Sequence, residues 1–467
     1  MAGPGGIRQM TAIALPMVIS SACDTLMMFT DRLFLSRIGS ENMSAAMGGG
    51  LTVFMMTTFF LGLTGYCTAL VAQYLGSGRK EHCAVAITQG LIIIAAAYPL
   101  IILSRPLGLL LFQWMRVPPE QLAPQTIYYN ILIYGTVITL ARNCLSCFFS
   151  GIGRTRVVMG SAMLAMAVNV TLNYILIFGK LGFPAMGIRG AAYGTLVGSV
   201  FGLLALVAAY LHRPTRTEYG IAASFHFDRA AMGKLLRFGY PAGIELFLNL
   251  LAFDLLILML HGQGLKTAAA VTVVFNWDMV SFVPLIGVNI GVTSLVGRFM
   301  GAGDPDTADR ATFSGLKLAL LYSFCTLVAF ACFPRPLVAM FRPTGEDAFF
   351  SEAFPLAVFM LRMAAVYVMA DAVMLVFSGA LRGAGDTFWA MCISVGLHWF
   401  MVSVLAVVLY ALHLEPGPAW VILCGTFMLF SGAFYWRYRI GKWRSIRVVE
   451  ETPEMPPLTD GFHGPAD

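Results

Sequence analysis

Residues 16–39 read PMVISSACDTLMMFTDRLFLSRIG, and two acids, Asp24 and Asp31, stand inside a stretch otherwise apolar enough to lie in lipid. Seven residues is close to two helical turns, so on a helix both carboxylates face one side, roughly 10 Å apart along the axis. A carboxylate at bilayer depth costs on the order of 2.5 kcal/mol or more, so it should face protein or enclosed water. The pair therefore reads as a proton or cation site. Working outward, the segment runs past Asp24 to about residue 35 without a small-residue cleavage site, so it is the first transmembrane helix rather than a cleavable signal peptide.

The whole chain agrees. Of 467 residues 58% are hydrophobic and only 12% charged, with a mean hydropathy of +0.78, far from the roughly 25% charged residues of soluble domains. No alternating ten-residue strands suggest an outer-membrane barrel. The net charge of +6 lies in loops as an orientation marker, and no basic run interleaved with aromatics points to nucleic acid. The nine cysteines are scattered through apolar segments, and the one CxxC, Cys144 to Cys147, has no second pair and no nearby His. No HExxH, Walker loop or nucleophile–His–acid set supports a membrane enzyme, and His398 alone reads as a packing or cavity residue.

Breaking the hydropathy at charged, Pro and Gly clusters predicts twelve spans, about 11–36, 45–75, 84–104, 125–149, 157–178, 188–211, 234–260, 269–300, 310–333, 355–381, 387–411 and 417–437. Lys and Arg concentrate on the side shared by the N-terminus, at Arg79, Lys80, Arg154, Arg156, Arg213 and Arg216, so both termini are expected in the cytoplasm. Shifting the sequence by 225 positions places Pro16 on Pro241 and VAQYLGSGRKE (71–81) on VGRFMGAGDPD (296–306). At an offset of 232, Gly153 falls on Gly385. The repeat predicts an N-lobe over 1–212, a linker over 213–233, a C-lobe over 234–445 and a disordered tail over 446–467, Pro-rich and acidic from Glu450. Six spans separate the halves, so they share one membrane orientation and pair about a pseudo-twofold axis along the membrane normal, with a path between them.

Together with these repeats, DRLFLSRIGSENMSAA in the first helix and its loop, NVTLNYILIFGKLG in the fifth span and DAVMLVFSGALRGAGDT in the tenth resemble multidrug and toxic compound extrusion (MATE) transporters of the bacterial NorM-like and DinF-like branches. The likeness covers the chain from residue 11 to about 440. It implies a V-shaped all-α membrane fold and export of amphipathic, often cationic compounds by H⁺- or Na⁺-coupled antiport, in a bacterial inner membrane, without cofactor or nucleic-acid partner, and as a monomer. It implies that Asp31 is the first-helix acid and that Asn169 and Asn173 are the fifth-span polar pair. Tyr367 and Asp371 would form a C-lobe site whose seventh-span glutamate falls on Asn249 here, with Glu245 one turn earlier as its stand-in.

From the residues themselves, Thr195 joins Asn169 and Asn173 as a source of oxygen ligands or of interhelical contacts. Asp24, Asp254, Asp278 and the neighbouring Trp277 are candidates to line the substrate cavity, where an indole face attracts cations. Pro16 and Pro241 each remove a helix hydrogen bond and are candidate bending points. Arg142 and Arg362 are expected near span ends, snorkelling or pairing with loop carboxylates. A lipid-linked oligosaccharide or peptidoglycan-precursor flippase is the alternative within the wider superfamily. It would favour a cationic groove over mid-span acids.

Overall fold

The computed structural model describes residues 3–115, 117–342 and 348–449. Among them there is no strand, and eleven helices are long and apolar enough to cross a membrane, twelve when one bent pair counts as a single span. In chain order they are α1 Ile7–Ser36, α2 Glu41–Gly76, α3 Lys80–Leu103, α4 Pro119–Tyr134 with Thr136–Gly151, α5 Thr155–Phe178 and α6 Ile188–Leu211. The second half repeats the order with α7 Arg229–His261, α8 Leu265–Gly301, α9 Pro305–Cys332, α10 Ser351–Ala384, α11 Thr387–Ala411 and α12 Pro416–Arg439.

The 37 residues of α8 reach about 55 Å at 1.5 Å per residue, well beyond a hydrocarbon core of about 30 Å, so this helix is tilted or projects past the bilayer. The sequence predicts one span over 125–149, and the structure makes it of two helical pieces. Between them α4 bends by 49° at Gly135. The cause is a side chain acting on the backbone ladder: the Tyr98 hydroxyl donates to the Tyr134 carbonyl (3.0 Å), and the glycine that follows offers no side chain to resist the turn.

The two halves meet through contacts that exchange under the 225-residue shift. α1 packs on α8 and α2 on α7, while α2 and α8 meet each other. A Cβ on Gly62 would come within 2.5 Å of the Ala242 carbonyl oxygen, and one on Gly287 within 2.5 Å of the Val18 nitrogen. Position 62 maps onto 287 and 18 onto 243, whose Cα faces Gly62. In the same way Gly76 abuts the Arg298 carbonyl and Gly301 the Gln73 carbonyl. Without a hydrophobic drive between helices in lipid, such backbone-close contacts are what hold spans together. The start of each lobe's first helix also crosses over. Met10 belongs to a cluster built mainly of C-lobe residues from α8, α9, α10 and α12, whereas Leu235, its equivalent, lies in the N-lobe cluster with Tyr66 and Tyr74. Gln73 closes the seam further by donating to the Gly383 carbonyl (2.7 Å), and Ser294 donates to the Ser150 carbonyl (2.7 Å).

The linker is strapped to the N-lobe. Glu218 accepts from Lys80 (3.0 Å) and Arg154 (2.8 Å), Tyr219 and Ile221 enter the N-lobe core, and Gln89 donates to the His226 carbonyl (2.9 Å). Beyond α12 the chain returns to the seam, where Trp443, Val448 and Val449 are buried. Residues 446–449, which the sequence assigns to a disordered tail, therefore pack against the body. The rest of that tail, from 450, lies outside the described residues.

Candidate functional site

In the N-lobe, three helices bring four polar side chains together at a point far from the seam. Asp31 of α1 is buried, and so are Asn169 and Asn173, one turn apart on α5. The Thr195 hydroxyl on α6 donates to Asp31 Oδ2 (2.8 Å), and Asn173 Nδ2 donates to Asp31 Oδ1. Asn169 Nδ2 donates to Thr195 Oγ1 (3.3 Å), and its Oδ1 accepts from Asn173 (3.2 Å). The carboxylate is thereby held by two donors, each worth about 1.5–3 kcal/mol to a charged group. One oxygen, Asn173 Oδ1, is buried with no hydrogen-bond partner. Between them these side chains own a single carboxylate, two amide oxygens and a hydroxyl, one negative charge in all, a composition that fits a proton or, with the Asn173 amide turned over, a hard monovalent cation. Among the described residues no three His, Cys, Asp or Glu side chains cluster as a metal site.

α6 can come this close to α5 because of a glycine period that hydropathy and the lobe repeat do not pick out. Gly190, Gly194, Gly198 and Gly202 recur every fourth residue, on one helical face. Each abuts α5: a Cβ would meet the Leu176 backbone at 190, Asn173 Oδ1 at 194, the Ala165 carbonyl and Asn169 at 198, and the Ala165 side chain at 202. This small-residue stripe brings Thr195 to Asp31.

Asp24 does not share that site. It forms an ion pair with Arg142 of α4 (2.7 Å), in which Arg142 is the more buried partner. Arg142 thus turns inward to a span acid, where the sequence predicts a span-end residue reaching for a loop carboxylate. The rotation of α4 after its bend decides the partner.

In the C-lobe, Tyr367 and Asp371 lie one turn apart on α10, both buried. Their neighbour is Asp278 of α8, whose Oδ1 accepts from the Tyr367 hydroxyl (2.9 Å). Asp371, one turn from Tyr367, and Asp278, which accepts from it, thus flank the same tyrosine. Phe427 of α12 stacks on Tyr367 at 4.6 Å between ring centroids and restricts its hydroxyl. Glu245, expected beside this pair, instead accepts from Arg382 (3.2 Å), eleven residues further along α10 and about 16 Å away along the axis. Asn249 donates to Ser394 of α11 (2.8 Å) and leaves its own buried Oδ1 unpartnered. Asp254 is half-buried on α7. Trp277 turns away from Asp278: its indole N–H donates to the Leu337 carbonyl (3.1 Å), and its ring packs on Phe330 and Phe341. Successive helical residues point about 100° apart, so adjacency in sequence does not place the ring and the acid together. Pro16 and Pro241 are both buried inside their helices, within two residues of the seam contacts at Val18 and Ala242.

Comparison with known proteins places this architecture. The MatE family model matches residues 16–175 and 241–408, one segment in each lobe. The probable multidrug resistance protein NorM of Pasteurella multocida is 28% identical over 398 residues, covering 84% of each chain. The multidrug resistance protein PmpM of Pseudomonas aeruginosa is 29% identical over 413 residues, covering 84% of this chain and 82% of its own. Among solved structures, a MOP superfamily transporter from Pyrococcus furiosus superposes with a TM-score of 0.86 at 22% identity, over 95% of this chain and 98% of that one. A MATE protein crystallised in the straight conformation gives 0.84 at 21%, with the same coverage. At these identities the structural likeness concerns the fold.

Proposed function

Because the chain belongs to the MatE family of transporters, we propose that it is a cation-coupled antiporter that exports amphipathic, often cationic organic compounds by alternating access. The observation that carries the reading is the buried Asp31, held by Asn173 and Thr195 beside an unpartnered amide oxygen. Protonation or cation binding there changes the charge of the N-lobe interior. It favours one packing of the lobes only to the extent that the acid's surroundings differ between the two states. The Asp278–Tyr367–Asp371 cluster is a second candidate for the coupling ion in the C-lobe, with Asp278 in the place expected of Glu245. Pro16 and Pro241, at the seam, are where the first helix of each lobe bends as the lobes rock. We place the protein in a bacterial inner membrane as a monomer, with both termini cytoplasmic. The family match and the names of its relatives support transport rather than catalysis.

The test is dye efflux from proteoliposomes under separately imposed proton and sodium gradients. One gradient should drive export, and Asp31→Asn should abolish the driven part while the protein remains folded. Efflux indifferent to both gradients, or undiminished in Asp31→Asn, would refute the coupling.

A further inference from the structure

A basic cleft of about 380 Å³ lies where the N-terminus of α7 meets the returning C-terminal segment. Four of its eight lining residues are cations, Arg229, Lys234, Arg237 and Arg447, and none is an acid. Asp228, the acid that precedes Arg229, is occupied as the cap of α7, its Oδ1 accepting from the Ala231 amide (2.8 Å). Like charges converging on a concave surface raise its potential and concentrate anions there. Lys234 is positioned by the Tyr74 ring below it (5.7 Å), and Arg237 lies over Phe238 (5.5 Å).

The surface around the cleft indicates which anion it suits. Gly233, Leu236, Arg237 and Tyr240 follow the spacing i, i+3, i+4, i+7 and form one stripe of α7. Gly233 and Arg237 line the cleft, while Leu236 and Tyr240 continue the stripe toward the membrane with their side chains exposed. A charged cleft leading into an apolar, aromatic stripe matches a phosphate headgroup with its acyl chains. A free phosphate would use only the cleft.

We propose that this cleft binds the phosphate headgroup of an anionic phospholipid, with the acyl chains along Leu236 and Tyr240. The site spans the lobe seam. Phe238 stacks on Tyr66 of α2 (6.0 Å), and Val448 lies in the N-lobe core. A lipid seated there holds both lobes at one end and favours the packing in which that end is closed.

The test uses the full-length protein in detergent and in nanodiscs, with native mass spectrometry counting retained lipid. Wild-type protein should retain phosphatidylglycerol in preference to phosphatidylcholine and lose that preference at high salt. Neutralising three cations together, R229Q/R237Q/R447Q, should weaken phosphatidylglycerol retention on the order of 100-fold, whereas R229K/R237K/R447K should keep it. Inorganic phosphate and glycerol phosphate at matched concentration should not compete. Equal retention of the two lipids by wild type, or a preference indifferent to salt, would overturn the proposal whatever the variants do. Loss of retention in the lysine variant would overturn the electrostatic basis, and competition by inorganic phosphate would overturn the assignment to lipid.

Discussion

Gly194→Ala tests whether the glycine stripe of α6 builds the Asp31 site. In an exposed helix this change is worth about 0.5–1 kcal/mol of stabilisation, because alanine has less backbone freedom to lose. Here the new methyl would overlap Asn173 Oδ1. Either α6 backs away from α5, an overpacking cost of about 1–3 kcal/mol, or Asn173 swings out and Asp31 loses a donor worth about 1.5–3 kcal/mol. Both routes weaken the hold on Asp31, so the expected loss of gradient-driven efflux is roughly 10- to 100-fold. The assay is a double-mutant cycle in proteoliposomes with Asn173→Ala, which removes the group the methyl would strike. If Gly194 acts through Asn173, Gly194→Ala should cost little in the Asn173→Ala background. An equal fold-loss in both backgrounds refutes the argument, since the glycine would then act on something other than the site.

Three further outcomes follow from the same geometry. Asp278→Asn and Asp371→Asn should each reduce driven efflux, and the double variant should be no worse than the poorer single one, because both acids flank Tyr367, whose hydroxyl is held by Asp278; additive losses in the efflux assay would separate them. Gly62→Ala and Gly287→Ala should cost similar amounts, about 1–3 kcal/mol each, in the packing where the seam is closed. Distance measurements between labels across the seam should show the open state gaining, and unchanged distributions would refute the seam assignment. Partial burial raises the Glu218 carboxyl, but the Lys80 hydrogen bond and the Arg154 and Lys80 charges outweigh it and leave it below its ordinary value near 4.5. Its contribution to linker docking is therefore full above that value and lost as pH falls through the lowered one. Hydrogen-exchange protection over 213–224, taken relative to the intrinsic rate at each pH, should fall in acid, and E218Q should remove that dependence; protection that stays pH-dependent in E218Q would mean another group is responsible.

The span count and the repeat are legible in sequence because both rest on periodicities that survive without coordinates, a length of apolar run and a fixed offset. The bend of α4 is not, since its cause is a hydroxyl 36 residues away on α3. Ion-pair partners are equally hidden. Arg142 reaches Asp24 across 118 positions and Arg382 reaches Glu245 across 137, and both choices depend on how helices rotate against one another. The resemblance assigns roles to Asn169, Asn173 and Asp371 by position, but the displacement of Glu245 by Asp278 beside Tyr367 appears only when α7, α8 and α10 are assembled. The glycines of α6 were readable. Their four-residue period is as plain as the lobe repeat, and its meaning emerges once α5 is known to be the neighbour.

The lobes obey their symmetry at the seam and break it at the acids. Gly62 and Gly287 make equivalent contacts, yet Asp31 stands on the first helix of one lobe and Asp278 on the second helix of the other. The asymmetry places both acids on the one pair of helices that Gly287 joins. α1 carries Asp31, thirteen residues or about 20 Å beyond Val18, and α8 carries Asp278, nine residues or about 14 Å before Gly287. Because Val18 and Gly287 touch through backbone, neither helix can tilt without moving the other. A charge change at either acid that tilts its own helix therefore acts on the same contact. A symmetric arrangement, with both acids on first helices, would have spread the effect over two separate contacts. Pro284 lies between Asp278 and the seam, and Pro16 lies between the seam residues Ala14 and Val18. Each helix thus lacks one backbone hydrogen bond near the shared contact, where a change of tilt costs least.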